Sequence, residues 1–459
     1  MQLSALAKHI DGKLVGGDAE FFSVSTDTRT LAPGDLFIAL QGPNFDGHHY
    51  LKAAFEKGAC GALVSREVDV DKPVVQVADT LRGLGALARM WVQQFSLHKV
   101  AITGSCGKTT LKEMVAAILS QVGPTLATRG NLNNEIGVPL TLCRINSGHR
   151  FAVIECGANH VGEIAYTSSL VQPQVSIVNN VAPAHLEGFG SIENVAKAKG
   201  EIYDSLVTEG VAVINLDDGF AGQYQKQNAG RSQLAFSLRN KSADVYAEVL
   251  TPASSGRYQL RVRLPAGSVE LQLPLPGAHN VRNALAACAI ATALGVPASA
   301  MVAGLGSVKP APGRLCPVDD IPGLHIIDDS YNANPASIRA AIDVLAEQGG
   351  ASCLVLGGMA ELGEQSASLH REIGRYAAER GVLGFYSLGP NAAFYQEGYE
   401  QIKPQGGVFT VCENHRQIAD AIRQQESDKL ILVKGSRSAA MEKVIHALRA
   451  GSHLNEENR

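Results

Sequence analysis

Residues 103–110 read Thr-Gly-Ser-Cys-Gly-Lys-Thr-Thr, an order suited to holding a phosphate chain. Gly104 and Gly107, with Ser105 and Cys106 between them, let backbone N–H groups close around phosphate oxygens. Lys108 adds a point charge and Thr109 a hydroxyl for Mg²⁺. Thr110 leads into Leu111 to Leu119, whose helical periodicity implies a positive dipole end facing the loop. The apolar run Val100 to Ile102 supplies a strand in front. The strict pattern wants glycine six residues before the lysine, where this chain has Ile102, so the match is to a shortened loop. With a strand before and a helix after, the segment reads as a nucleotide phosphate cradle rather than an ordinary turn.

Other candidates fall where apolar strands end. Ligands of parallel sheets collect there. Glu155 closes the strand begun by Phe151 and could share a Mg²⁺ with the nucleotide; alternatively it is an exposed loop acid. His185 follows the strand Val175 to Val181, as a metal ligand or a structural histidine. Lys199 lies on the apolar stripe of a helix expected from Ser191 to Thr208, four residues after Val195 and three before Ile202. An inward lysine must snorkel, pair or lose its charge, and a neutral amine can take up CO₂ as a metal-bridging carbamate. Asn280 and Asn283 open a helix, as adenine-edge readers or as a cap and polar face. Arg314 follows Ala311-Pro312-Gly313 and could reach phosphate across a hinge at 310–314. Asp329 ends a strand, as ribose-binding acids do. Lys434, Ser436 and Arg437 end the last strand; they suit an anionic substrate group, or merely a solvated strand end.

The elements that must carry these residues alternate strand and helix. An α/β chain of three domains is expected. The first is a small α/β N-terminal domain, 1–80. The second is a central P-loop mononucleotide-binding parallel sheet with an antiparallel appendage, 81–312. The third is a C-terminal Rossmann-like domain, 313–459. The appendage is read from alternating strands at 243–250, 257–264 and 268–275.

Composition narrows the rest. A net charge of −4 without a basic run, and 5% aromatic residues, argue against nucleic acid. The eight cysteines stand singly, without the spacing of a zinc cage or disulfide frame. Neither a signal-peptide core nor an apolar run of bilayer length is present, so a reducing cytoplasm is expected.

Longer strings carry a resemblance. Gly130-Asn131-Leu132-Asn133-Asn134-Glu135-Ile136-Gly137-Val138-Pro139 is one, with ECGANHVGEI from Glu155, NNVAPAHLEGFGS from Asn179, DDSYNANP from Asp328 and GGMAELGEQSASLH from Gly357. Together with the short loop they resemble the Mur ligase family, ATP-dependent amide-forming enzymes of peptidoglycan synthesis, across essentially the whole chain. Ala184 stands where sister ligases usually carry Asp, and the DNPR string of the branch adding meso-diaminopimelate is missing. Both features point to the branch that joins D-alanyl-D-alanine to UDP-N-acetylmuramoyl-tripeptide through an acyl phosphate.

The resemblance implies two Mg²⁺ ions, one on Thr109 and Glu155, the other on His185 and carbamylated Lys199, with Lys108 completing the catalytic set. It implies that Asn280, Asn283, Arg314, Asp329 and Tyr331 hold ATP. Thr26, Asp27, Thr28 and Arg29, with Gly34 to Phe37, would receive the UDP end. Thr128, Asn133 and Asn134 would line the route to the peptide, and Asn332 would join Lys434, Ser436 and Arg437 at substrate in the last domain. A bacterial cytoplasmic monomer is expected. A kinase or motor ATPase, a folate polyglutamate-type ligase and a non-catalytic nucleotide scaffold are the rivals.

Overall fold

The computed structural model describes residues 1–183, 186–251, 258–349, 351–425 and 429–456. They form three α/β sheets in chain order, with a two-stranded hairpin inserted in the first region. The first sheet runs Lys13–Val15, Val74–Gln76, Gly61–Val64, Leu36–Ile38, Val24–Ser25, parallel except at its Lys13–Val15 edge.

The second sheet has nine strands. His98–Thr103 lies between Phe151–Glu155 and Val175–Val178, so successive connections leave it in both directions. This reversal opens a crevice at the carboxyl ends of the three strands. Alternate side chains serve two cores, as a sheet covered on both faces requires. Val100, Ile102, Val153 and Ile177 pack against Leu111, Met114 and Ile118 of the helix Lys108–Leu119 and against the alanine-rich helix Ala278–Ala293. Ala101, Ile154 and Val178 point the other way, into a cluster continuous with Leu36, Leu63 and Val75 of the first sheet. The helix Thr80–Val92 joins the two, started by Asp79, whose carboxylate accepts from the N–H groups of Leu81 and Arg82.

The antiparallel strands Val245–Thr251, Tyr258–Leu264 and Gly267–Leu273 continue the edge of this same sheet. The helix expected from Ser191 to Thr208 is shorter: Ser191 caps Ile192–Gly200, and a 3₁₀ turn, Glu201–Tyr203, follows.

The third sheet runs Cys316–Val318, His325–Asp329, Leu430–Lys434, Ser352–Leu356, Gly384–Leu388, Val408–Cys412, with only the first strand antiparallel. Its first crossover helix, Pro335–Glu347, starts at a capping box of Asn334 and Ser337 with Pro335 in the first turn. Among the described residues no helix is long and apolar enough to cross a membrane.

Candidate active site

A cleft of about 1150 Å³ opens where the second sheet's strand ends meet the third sheet. The phosphate loop forms its floor. Gly107 has φ +76°, and a Cβ there would lie 2.8 Å from Asn283 Oδ1 and 2.9 Å from Asn179 Nδ2, so only glycine fits. Amides hold the loop in shape. Asn180 Oδ1 accepts from Cys106 N at 2.8 Å, and Asn179 and Asn180 both donate to the Cys106 carbonyl, at 3.1 and 2.9 Å. Ser105 Oγ donates to the Ala182 carbonyl at 2.9 Å. Lys108 Nζ donates to the Gly104 carbonyl at 2.7 Å, spanning the turn. Burial pulls the Lys108 pKa down, and the Glu155 carboxylate opposes that pull. Thr110 also lines the cleft.

Glu155 ends its strand almost fully buried. Its Oε2 accepts from Thr109 Oγ1 at 3.0 Å, and its Oε1 from Asn133 Nδ2 at 2.8 Å. Arg314 comes from the third-sheet side and donates through Nη2 to Thr109 Oγ1 at 3.0 Å, its guanidinium 4.2 Å from the Tyr331 ring centroid. Carboxylate, hydroxyl, lysine and arginine therefore converge around the loop, the donor set that a triphosphate with a hard divalent cation requires. Among the described residues no cluster of three or more His, Cys, Asp or Glu side chains is poised for a metal, so hydroxyl and phosphate oxygens would have to complete any such shell.

Lys199 is 2% exposed and has no hydrogen-bond or ion-pair partner among the described residues. Burial, reinforced by the nearby Lys108 charge, lowers its pKa to about 7. It is not part of the cleft lining. His185 lies outside the described residues.

Several expectations change in detail. Asn280 and Asn283 border the cleft, but both are buried in an amide chain. Asn179 donates to Asn283 Oδ1 at 2.9 Å, Asn283 to Asn280 Oδ1 at 3.2 Å, and Asn280 to the Pro276 carbonyl at 2.7 Å. Neither caps the helix, whose N-cap is Gly277. Asp329 and Lys434 form a buried ion pair of 2.6 Å, and Lys434 also donates to the Asn332 carbonyl at 2.8 Å. The strand-end lysine is thus neither solvated nor an uncommitted cation. Ser436 is buried against Ser438 outside the lining, whereas Arg437 reaches the cleft edge, paired with Glu442 at 3.2 Å.

Thr128 is buried: its hydroxyl accepts from Glu155 N at 3.0 Å and its carbonyl from Lys112 Nζ at 2.7 Å. It supports Glu155 from behind and does not line the cleft. Asn134 lines the cleft, and its Oδ1 accepts from Gly137 N at 2.9 Å at the start of the helix Gly137–Leu142, whose N-cap is Ile136. Thr26 to Arg29 stand apart from the cleft. Arg29 folds back on Asp27 at 2.7 Å, holding that carboxyl down at about 2, and the Thr28 carbonyl accepts from Lys57 Nζ.

Sequence reading passed over Asn179 and Asn180, although both follow a parallel strand's carboxyl end. It also passed over His279, which burial pushes down to about 4, and Asn334, whose side chain meets Cys106 Sγ at 3.2 Å across the cleft.

Over 449 residues the chain is 44% identical to the UDP-N-acetylmuramoyl-tripeptide–D-alanyl-D-alanine ligase of Escherichia coli (strain K12), spanning 97% of this chain and 98% of that protein. The chain belongs to the Mur ligase family. Family models agree along its length: the Mur ligase family catalytic domain matches residues 10–91, the Mur ligase middle domain 102–291, and the Mur ligase glutamate ligase domain 313–437. Among solved Mur ligases, MurF from Acinetobacter baumannii superposes with a TM-score of 0.90 at 35% identity, covering 97% of this chain and 98% of that one. MurF ligase from Thermotoga maritima, solved in complex with ADP, gives 0.82 at 27% identity over 94% and 98%.

Proposed function

We infer that the protein is an ATP-dependent ligase that joins D-alanyl-D-alanine to UDP-N-acetylmuramoyl-tripeptide. An acyl phosphate forms on the way, and the products are UDP-N-acetylmuramoyl-pentapeptide, ADP and phosphate. The full-length identity to a ligase named for these substrates carries this reading. The tripeptide's terminal carboxylate attacks the γ-phosphorus of ATP and ADP departs. The dipeptide amine then attacks the acyl carbonyl and phosphate departs.

Within the cleft, Lys108 and the loop N–H groups hold the β- and γ-phosphates in line with the incoming carboxylate. Arg314, braced on Tyr331, adds positive charge from the opposite wall. Asn280, Asn283 and Asp329 border the ATP side, and their amide chain and ion pair fix the wall against which the nucleoside rests. Asn133 and Asn134, beside Glu155, border the path of the peptide. Arg437 and the Asn332 region border that of the dipeptide.

Thr109 and Glu155 would hold Mg²⁺, which would offset phosphate charge when bound. Lys199, buried and without a partner among the described residues, supports modification: its neutral amine adds to CO₂, forms an N–C bond and releases a proton, leaving a carbamate able to serve a second Mg²⁺ with His185. Thr26 to Arg29, carried on the first sheet, would receive the UDP end. Action as a monomer in the bacterial cytoplasm belongs to the same reading. Closure of the third sheet about 310–314 would exclude water from the acyl phosphate.

The test is phosphate release from ATP with UDP-N-acetylmuramoyl-tripeptide, with and without D-alanyl-D-alanine. Sustained release only with the dipeptide is expected. Release indifferent to the dipeptide, or none with both substrates, would overturn the reading.

A further inference from the structure

A second cavity, of about 420 Å³, lies apart from the cleft, between the start of the edge strand Val24–Ser25 of the first sheet and the Ile145 to His149 loop of the second region. Its polar lining is unusual in sign. Arg129 and Arg144 both border it, and no Asp or Glu does. Arg144 Nη1 is buried without an acceptor, and the Arg129 guanidinium has no partner among the described residues. Burial and the Arg129 charge both draw the Arg144 pKa below the ordinary guanidinium value. His149 adds a third donor: its Nδ1 accepts from Asn146 N at 3.2 Å, so the neutral ring carries its proton on Nε2. Facing these groups are the Trp91 ring, fixed by Nε1 donating to the Ile145 carbonyl at 2.8 Å, and Phe22, which is 69% exposed.

A buried guanidinium nitrogen without an acceptor is costly, and two like charges beside one cavity add to the cost. A dianionic oxyanion relieves both, because planar guanidinium groups match phosphate oxygens in pairs. The exposed aromatic and the apolar wall suit a body attached to that anion. We propose that this cavity is a second binding site, for a phosphate or diphosphate ester, held by Arg129, Arg144 and His149 with its body against Trp91 and Phe22. The phosphate could belong to a UDP-linked precursor or to an independent phosphorylated small molecule.

Trp91 is the single tryptophan of the chain, so its emission reports on this cavity. The measurement titrates the full chain with inorganic pyrophosphate, UDP and UDP-N-acetylmuramoyl-tripeptide, in a Lys108→Met background that disables the cleft's phosphate loop. A saturable change is expected. Arg144→Met should weaken it at least about tenfold, as loss of a charged hydrogen bond predicts. Arg129→Gln, at an exposed position where folding is not at stake, should weaken it severalfold and flatten its salt dependence. Tighter binding of the precursor than of UDP and pyrophosphate, through both arginines, assigns the site to the precursor. Equal binding of all three assigns it to an independent anion. No response to any probe at millimolar concentration, or a response unchanged in both arginine variants, overturns the proposal. The readout is binding alone, so failure of the ligation assay and failure of this one are separable.

Discussion

Replacing Lys199 by methionine removes a buried charge while keeping a side chain of similar length. Burial brings the Lys199 pKa from the ordinary 10.5 to about 7. At about 1.4 kcal/mol per tenfold change, the folded protein disfavours the ammonium by roughly 5 kcal/mol. Below pH 7 the lysine is charged in both states and the full penalty weakens the wild-type protein. Between pH 7 and 10.5 the unfolded chain binds more protons than the folded one, so wild-type stability rises with pH. Above 10.5 both states are neutral and the penalty is gone. Lys199→Met should therefore be more stable than wild type at pH 6 by a few kcal/mol, with the gap closing towards pH 10. Urea unfolding of both proteins across that range, in CO₂-depleted buffer without nucleotide, measures it. Ligation should be lost in the variant, and ¹³C-bicarbonate should label wild type but not the variant with a carbamate signal. A variant less stable than wild type at pH 6, or a gap that ignores pH, would refute the reading that burial penalises the ammonium at this site.

Lys108→Met should lower kcat by about 10²- to 10³-fold, the usual effect of deleting one donor to developing charge, read as phosphate release under saturating substrates. Glu155→Gln should raise the Mg²⁺ concentration for half-maximal activity at least about tenfold, and chelation of the wild-type enzyme should stop turnover until Mg²⁺ is restored. Gly107→Ala should cost on the order of 1–3 kcal/mol in urea unfolding, since the new methyl meets Asn283 and Asn179 at a positive φ, and should weaken ATP binding in calorimetry.

The phosphate loop was legible because its strand, glycines and helix are contiguous. Glu155 was legible from its place after an apolar strand, and the inward orientation of Lys199 from the period of its neighbours. Partners distant in sequence were not. The Asn179–Asn283 bond joins residues 104 apart, and the Lys434–Asp329 pair spans 105. No local period encodes such meetings, so neither the amide network nor the internal ion pair could be read from the sequence. Short or polar strands also escaped. Ser232–Ser237 alternates weakly, and Cys316–Val318 is a three-residue edge that exists because it pairs with His325–Asp329. The N-terminal half of the helix at Lys199 was set by Ser191, but its end was overread, because Ile202 and Leu206 stay buried after the α-helical bonds have stopped.

The loop's scaffold of Asn179, Asn180 and Asn283 consists of carboxamides, which neither gain nor lose protons across the biological range. From mildly acid to alkaline buffer these amides keep their charge and their bonds, whereas Lys108 in the same loop can still lose its proton. Acidity can reach catalysis only through the few ionisable groups mounted on that inert frame, so a sharp pH optimum would report on those groups and not on a collapse of the nucleotide seat.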